Sequence, residues 1–312
     1  MPPLLTQWVM KLLTAGHSEA RRLARALRFG SVAAMTRRPS RLDAWPRAFD
    51  GDVELNWGDA VVSRRLLREH LDQTHDGASR RLCIIREHVR RLRRLLPEPP
   101  ADVLDAAAGP GLYSVRLAAA GYRVTALDIG PAVVAHTRRL AREQAVSGDV
   151  AARVADLRTI EDVDRYDAVL LIYHVLEAFP RRQQVDVLRR LRRALRSAAP
   201  LVVEMRLRPD QVEGRISSWD VVKSSLLSER RHLLLVETVH DRATNTYVLR
   251  ETAVFDDGTT AVQQTSSAFT RYDAIPSLFA RAGLRVDAMY DGWSRFRASA
   301  LSESVLVVAR RL

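Results

Sequence analysis

Val103-Leu104-Asp105-Ala106-Ala107-Ala108-Gly109-Pro110-Gly111-Leu112-Tyr113 decides the fold of this chain. The stretch reads as a buried strand ending on a carboxylate, a turn of small residues, and the entry to a helix. Glycines in such a turn let the backbone come close to a flat, polar, adenosine-like ligand at the carboxyl edge of a parallel sheet. The residues beyond it suit the reading. Leu117 to Gly121 ends a helix on glycine, and Tyr122 to Leu127 is a second apolar run closing on Asp128. A carboxylate about 20 residues past the glycines is where a ribose hydroxyl pair is held.

Asp105, Ala107, Gly109 and Gly111 stand in the places of an acidic residue followed by alternating small ones. In this the chain resembles the class I S-adenosylmethionine-dependent methyltransferases, of the small-molecule type, from about Asp102 to the C-terminus. It departs at Ala107, where that family usually has a third glycine. A nicotinamide-binding Rossmann domain is the competing reading. Its fingerprint wants glycine or alanine where Ser114 stands and no carboxylate at Asp105. The resemblance implies an α/β fold with a Rossmann-like seven-stranded methyltransferase sheet.

The chain has 312 residues and is 47% hydrophobic, enough for a core domain and an accessory one. Its single cysteine, Cys83, excludes an internal disulfide and a multi-cysteine zinc site, and fits a reducing cytoplasm. No apolar run of about 18 residues marks a membrane span. The net charge of +12 comes from 49 basic residues, of which only Lys11 and Lys223 are lysine. So strong an arginine bias, with abundant Ala, Leu and Val, points to a GC-rich genome rather than to phosphate contact. Arginines beside leucines at helical spacing in Ser79–Leu96 and Arg181–Arg196 read as solvated helix faces. Nucleic acid is therefore not the expected partner.

Residues 1–100 read as an N-terminal helical cap, with helical patterns over Leu4–Arg28, Asp59–His70 and Ser79–Leu96. The first 40 residues hold one acidic side chain, Glu19. A mitochondrial transit peptide shares that bias, but so does the rest of the chain. Pro97-Glu98-Pro99-Pro100 delivers the chain into a core over 101–312. Strands are expected at Asp102–Asp105, Arg123–Asp128, Ala151–Ala155, Ala168–Tyr173 and Leu201–Met205. The intervening helices are Leu112–Ala120, Pro131–Ala145, a short segment near Thr159–Val163, and Arg181–Ala198. Residues 207–271 are expected to be an inserted antiparallel β meander, with runs His232–His240, Tyr247–Phe255 and Thr260–Thr270. It either walls the substrate site or builds a homodimer interface. A helix at Asp273–Ala282 and a strand pair, Arg285–Tyr290 with Ser304–Arg310, close the chain.

The resemblance assigns roles to particular residues. Asp105 lies near the amino-acid part of the cofactor, and the amides of Gly109 and Gly111 approach it, with Ala107 and Tyr113 alongside. Asp128 binds the ribose and Ile129 packs on the adenine. Asp156-Leu157 follows the third strand, where the family places a carboxylate on the adenine amino group. A helix N-cap at Asp156 stays open as the local alternative. Tyr173 and His174, at the end of the fourth strand, face the cofactor sulfur and the substrate. His174 suits removal of a proton from a phenol, an amine or an activated carbon, or merely hydrogen-bonds the cofactor or a loop. Glu204, at the end of the fifth strand, is a further catalytic candidate or a salt-bridged strand end. His75, Asp76 and Arg80 either contribute to a lid or form a solvated helix connection. Trp57, Tyr272 and Trp293 are candidate substrate residues, and Trp57 could also close over the cofactor, with core packing the alternative for each and the stronger expectation for Trp57.

No metal is expected. His70 and His75 share no helical face, and no carboxylate cluster accompanies His174. The Asp/Asn-Pro-Pro-aromatic motif of amino-methylating nucleic-acid enzymes is missing, as is a suitably placed cysteine for cytosine methylation. The expectation is an S-adenosylmethionine-dependent methyltransferase acting on a small molecule, a tailoring enzyme of bacterial secondary metabolism. The alternatives are a methyltransferase-fold enzyme catalysing cyclisation or elimination, and an RNA-binding or RNA-modifying protein.

Overall fold

The structure is a computed structural model that describes residues 46–207 and 214–312. The expected helix Leu4–Arg28 lies outside the described residues. Two compact units are distinguished, one holding described residues 46–55 and 214–266, the other 56–207 and 267–312.

The larger unit begins with two helices. α1 (Ala60–Leu71) starts where the Asp59 carboxylate accepts from the Val61 and Val62 amides. α2 (Leu82–Leu92) buries Ile85, His88, Val89 and Leu92, one stripe of an amphipathic helix. Strand and helix then alternate as the apolar runs predict. They give β1 (Asp102–Ala106), α3 (Ser114–Ala118), β2 (Arg123–Asp128), α4 (Pro131–Glu143), β3 (Val150–Val154), β4 (Ala168–Leu171), α5 (Arg181–Ala194) and β5 (Leu201–Arg206). α3 is shorter than the expected Leu112–Ala120, with Tyr113 as its N-cap and Ala119 as its C-cap. The segment expected near Thr159–Val163 is a 3-10 turn at Leu157–Thr159. The final elements of this unit are α6 (Ile275–Arg281), β10 (Leu284–Asp291) and β11 (Ser304–Arg311).

These strands form one seven-stranded sheet in the order β10-β11-β5-β4-β1-β2-β3. β3, β2, β1, β4 and β5 pair in parallel, while β11 runs antiparallel to β5 and β10. Both faces of the sheet are covered. Leu104, Leu171, Leu188 and Phe279 belong to the core on one side, and Val103, Leu170, Ile85 and Leu117 to the other. Strand order reverses between β1 and β4, so their carboxyl ends splay apart and leave a crevice there. The glycine turn and Tyr173-His174 leave the sheet at that point.

α5 carries a dense arginine row that serves the fold. Arg190 and Arg193 donate to the Ile160 carbonyl, and Arg189 pairs with Asp186 and donates to the Arg281 carbonyl. Among the described residues no helix is long and apolar enough to cross a membrane.

The smaller unit holds an antiparallel sheet in the order β6-β7-β8-β9. Its strands are β6 (Gly214–Val222), β7 (His232–Asp241), β8 (Thr246–Val254) and β9 (Thr260–Ala268). Three of these match the expected runs. β6 is the addition, an edge strand whose residues are exposed or half-buried throughout. With neither face buried, Ser217, Ser218 and Asp220 could replace apolar residues, and no alternation marks the strand. A buried Arg250–Glu237 pair links β8 to β7, with Arg250 Nε 2.7 Å from Glu237 Oε2.

Candidate active site

The turn after β1 depends on three left-handed residues, Ala107 (φ 61°), Gly109 (φ 55°) and Gly111 (φ 76°). At Gly111 only glycine fits, because a Cβ would lie 2.4 Å from Thr137 Cγ2. The Thr137 hydroxyl lies 3.2 Å from the Gly109 carbonyl and 3.0 Å from the Val133 carbonyl, fastening the turn to α4. Ala107 carries its methyl into a conformation that costs an L-residue about 1–2 kcal/mol. Replacing Ala107 by glycine removes that strain but adds backbone freedom to the unfolded chain. The expected net gain is about 0.5 kcal/mol in urea unfolding, and a lower midpoint for Ala107→Gly would contradict it.

The two carboxylates beside the turn behave differently. Asp105 is buried and points inward, accepting from the Ser114 hydroxyl at 2.6 Å, so it clasps the start of α3 to the end of β1. Burial pushes its carboxyl up to about 6. Asp128, at the end of β2, accepts from Gly109 N and Gly130 N, each at 2.8 Å. Burial raises its carboxyl, opposed by those amides. Among the described residues no cation pairs with it. A half-buried carboxylate held by amides alone keeps acceptor capacity for a vicinal diol. The glycine turn beside it offers the bare backbone that a nucleoside with an amino-acid tail requires, so these residues fit S-adenosylmethionine. Ile129 lies at the same edge. Asp156 caps the 3-10 turn that contains Leu157, accepting from Arg158 N at 2.8 Å and pairing with the Arg158 guanidinium. Its N-cap geometry is thus in place, with both oxygens engaged.

β4 ends in a strained corner where Tyr173 (φ 73°) and His174 (φ 59°) are both left-handed. The corner is pinned by Tyr173 N donating to Glu204 Oε2 at 2.9 Å. Glu204, fully buried at the end of β5, also accepts from Trp293 Nε1 at 2.8 Å and pairs with both terminal nitrogens of Arg80. Burial alone would raise this carboxyl, but the Arg80 guanidinium and neighbouring imidazoles hold it down to about 2. The Arg80 guanidinium lies 4.7 Å from the Tyr173 ring centre. The Tyr173 hydroxyl meets the backbone carbonyls of Asp76 and Gly77. His88 stacks on Trp293 with ring centres 3.8 Å apart, and its Nδ1 lies 2.8 Å from the Tyr113 hydroxyl. Burial and Arg80 depress this imidazole to about 3.

His174 carries a ring nitrogen with an uncommitted lone pair. Its Nε2 lies 3.8 Å from Glu204 Oε1, while Nδ1 is buried with no partner. Burial lowers the imidazole to about 4, so it is neutral at pH 7. Glu177, three residues on in a 3-10 turn, is alike. Its Oε1 accepts from Arg206 N at 2.8 Å, Oε2 has no partner, and burial pushes the carboxyl up to about 8.

The structure thus brings Tyr113, Tyr173, His174, Glu204, Arg80 and Trp293 together. The Asp76 carbonyl meets this cluster at Tyr173, while His75, Tyr272 and Trp57 stand apart from it. His75 lies 3.2 Å from Asp72 and accepts from Gly77 N, inside the turn between α1 and α2. Tyr272 donates to the Ala298 carbonyl and lines a surface depression with Pro276 and Met289. Trp57 is 42% exposed, which corrects the expectation of a core tryptophan. It sits at the tip of the turn from Asn56 to Asp59 that leads into α1. Sequence reasoning missed Glu177, Ser114 and His88. The signal for His88 was present, since it falls on the apolar stripe of Ile85, Val89 and Leu92. His70, read only against metal binding, packs over Gly109, its Cε1 3.6 Å from where a Cβ would be.

Residues 103–198 match the family model described as a methyltransferase domain. No curated protein matches the chain. Among solved structures, the CcbJ methyltransferase from Streptomyces caelestis aligns with a TM-score of 0.64 at 17% identity, over 81% of this chain and 98% of that one. An S-adenosylmethionine-dependent methyltransferase from Clostridium acetobutylicum aligns at 0.57 and 11% identity, over 80% and 96%. CalS10, an amino pentose methyltransferase from Micromonospora echinaspora involved in calicheamicin biosynthesis, aligns at 0.51 and 19% identity, over 73% and 90%. These likenesses are likenesses of fold.

Proposed function

We propose that this chain, a class I S-adenosylmethionine-dependent methyltransferase by its matched domain and its seven-stranded fold, methylates a small-molecule acceptor with His174 as the proton acceptor. When bound, the cofactor supplies a sulfonium-activated methyl group for in-line displacement. Asp128 would hold the ribose hydroxyls, and the glycine turn would admit the amino-acid tail. The walls around the reacting centre carry little net charge, because Arg80 and Glu204 neutralise each other and His88 and His174 are uncharged.

The observation that carries the reading is the unpartnered Nδ1 of His174 beside the pinned Glu204 carboxylate. Glu204 Oε1, at 3.8 Å, lies beyond hydrogen-bond reach, but its charge favours a proton on Nε2 and leaves the lone pair on Nδ1 for the acceptor. The other candidates are poor bases. Glu204 is held near 2, and burial keeps the Tyr173 hydroxyl protonated. An imidazole lowered to about 4 suffices, because the acceptor's O–H or N–H acidifies as its heteroatom gains charge from the incoming methyl. Tailoring of a secondary metabolite is the proposed role, in keeping with the arginine-rich composition and the fold shared with CalS10.

Calorimetric titration with S-adenosylhomocysteine tests the cofactor half. Wild type is expected to bind, and Asp128→Ala to bind about 10–100-fold more weakly, as for a lost pair of charge-assisted hydrogen bonds. His174→Ala should bind as wild type does, yet fail to transfer a methyl group in mass-shift screens of acceptors. Acceptor consumed with no gain of a methyl mass would instead select a cyclisation or elimination.

A further inference from the structure

The turn that leads into α1 carries an indole that the site described above does not use. Asn56 Oδ1 accepts from Gly58 N at 3.1 Å, and the Asn56 carbonyl accepts from Asp59 N at 3.1 Å. These bonds close a tight turn with Trp57 at its tip. Asp59 then caps α1 through Val61 N and Val62 N at 2.8 and 2.9 Å, so the turn is held by the helix it starts. It rests against the residue that follows the ribose carboxylate. A Cβ on Gly58 would lie 3.4 Å from Ile129 Cγ1 and 3.7 Å from Ile129 Cδ1. Four residues past Asp59, Ser63 Oγ accepts from Ala132 N at 3.0 Å, fixing α1 on the start of α4. Trp57 itself has no hydrogen bond and no ring partner among the described residues.

A large exposed indole is thus mounted on a stiff turn packed against Ile129. We propose that Trp57 is the aromatic cover of the purine subsite, closing on the adenine ring from the solvent side while Ile129 supports it from the sheet. The proposal rests on the reading of Asp128 as the ribose carboxylate. The class of ligand it recognises is the adenosine moiety alone, whatever hangs from its 5′ carbon. An offset stack on a base needs no hydrogen bond from the indole, and this one makes none.

Equilibrium binding of S-adenosylhomocysteine and of 5′-methylthioadenosine, which lacks the amino-acid tail, tests the proposal on wild type, Trp57→Ala, Trp57→Phe and, as a control, Trp219→Phe in β6. Stacking on a base predicts about tenfold weaker binding of both ligands by Trp57→Ala. Trp57→Phe should lose about threefold or less, and Trp219→Phe nothing. Equal proportional losses for the two ligands locate the effect at the base. Wild type that binds both ligands, with Trp57→Ala binding them equally well, overturns the proposal and leaves the function intact. A loss confined to S-adenosylhomocysteine also overturns it. Wild type that binds neither ligand brings down the cofactor reading and this proposal with it. Trp57 is exposed, so both variants should melt as wild type does, and a matching melting curve is required before the affinities are compared.

Discussion

Arg80→Ala is expected to lower the unfolding free energy by about 3–5 kcal/mol at neutral pH, as breaking one side of a buried ion pair does. The change leaves the fully buried Glu204 carboxylate with Tyr173 N and Trp293 Nε1 as its remaining close donors. The sign of its pH dependence follows from the carboxyl's position. In the wild type it is held at about 2, below its ordinary value of 4.5. Its contribution to stability is therefore present above that ordinary value and fades as pH falls toward 2. Without Arg80, burial is opposed only by those donors and the neighbouring imidazoles, and the carboxyl rises. The folded variant then keeps its proton to higher pH than the wild type does, and its stability falls relative to the wild type as pH rises. The gap between the two proteins should widen from about pH 3 to about pH 7 in urea unfolding. A gap that stays constant over that range would mean that lost packing, not charge, is responsible. Replacing Arg80 and Glu204 together by leucine should recover most of the loss, since two apolar side chains leave no buried charge.

That pair also marks where the sequence stops being legible. The turn from Asp105 to Gly111 and the carboxylate at Asp128 could be read because each requirement is local. A left-handed turn needs small residues within a few positions, and the end of β2 lies one helix further on. The alternation of apolar strands with amphipathic helices located the parallel sheet for the same reason. Arg80 and Glu204 are 124 residues apart, and Trp293 and Glu204 are 89 apart. Nothing in a linear pattern sets which side chain between two helices meets the end of a distant strand. Local alternatives fared no better where two roles need the same residue. Asp156 suits both an adenine contact and an N-cap, and the geometry on hand is the cap. Glu177 gave no signal at all. A lone acid after a strand end looks solvated, and only the fold buries it.

Glu177→Gln should make the protein more stable, by about 3 kcal/mol at pH 7. The glutamine keeps the shape of the protonated acid and an oxygen for Arg206 N, and it removes the ionisable group. Burial places the wild-type carboxyl at about 8 in the folded protein, against 4.5 ordinarily, so between those values only the unfolded chain has released the proton. Wild-type stability should therefore decline by about 1.4 kcal/mol per pH unit across that window from this group alone, and level off above it. The variant lacks that decline, so the two proteins should be alike near pH 4 and diverge toward pH 8. Parallel pH profiles of unfolding free energy would show that Glu177 is not protonated in the fold. A residue that lowers stability at working pH, with one oxygen unpartnered beside a histidine whose Nδ1 is also unpartnered, is the kind that selection keeps for activity rather than for folding. The same variant should then lose methyl transfer while it gains stability. Both orphaned atoms lie at one short 3-10 turn, on residues three positions apart, next to the strained corner.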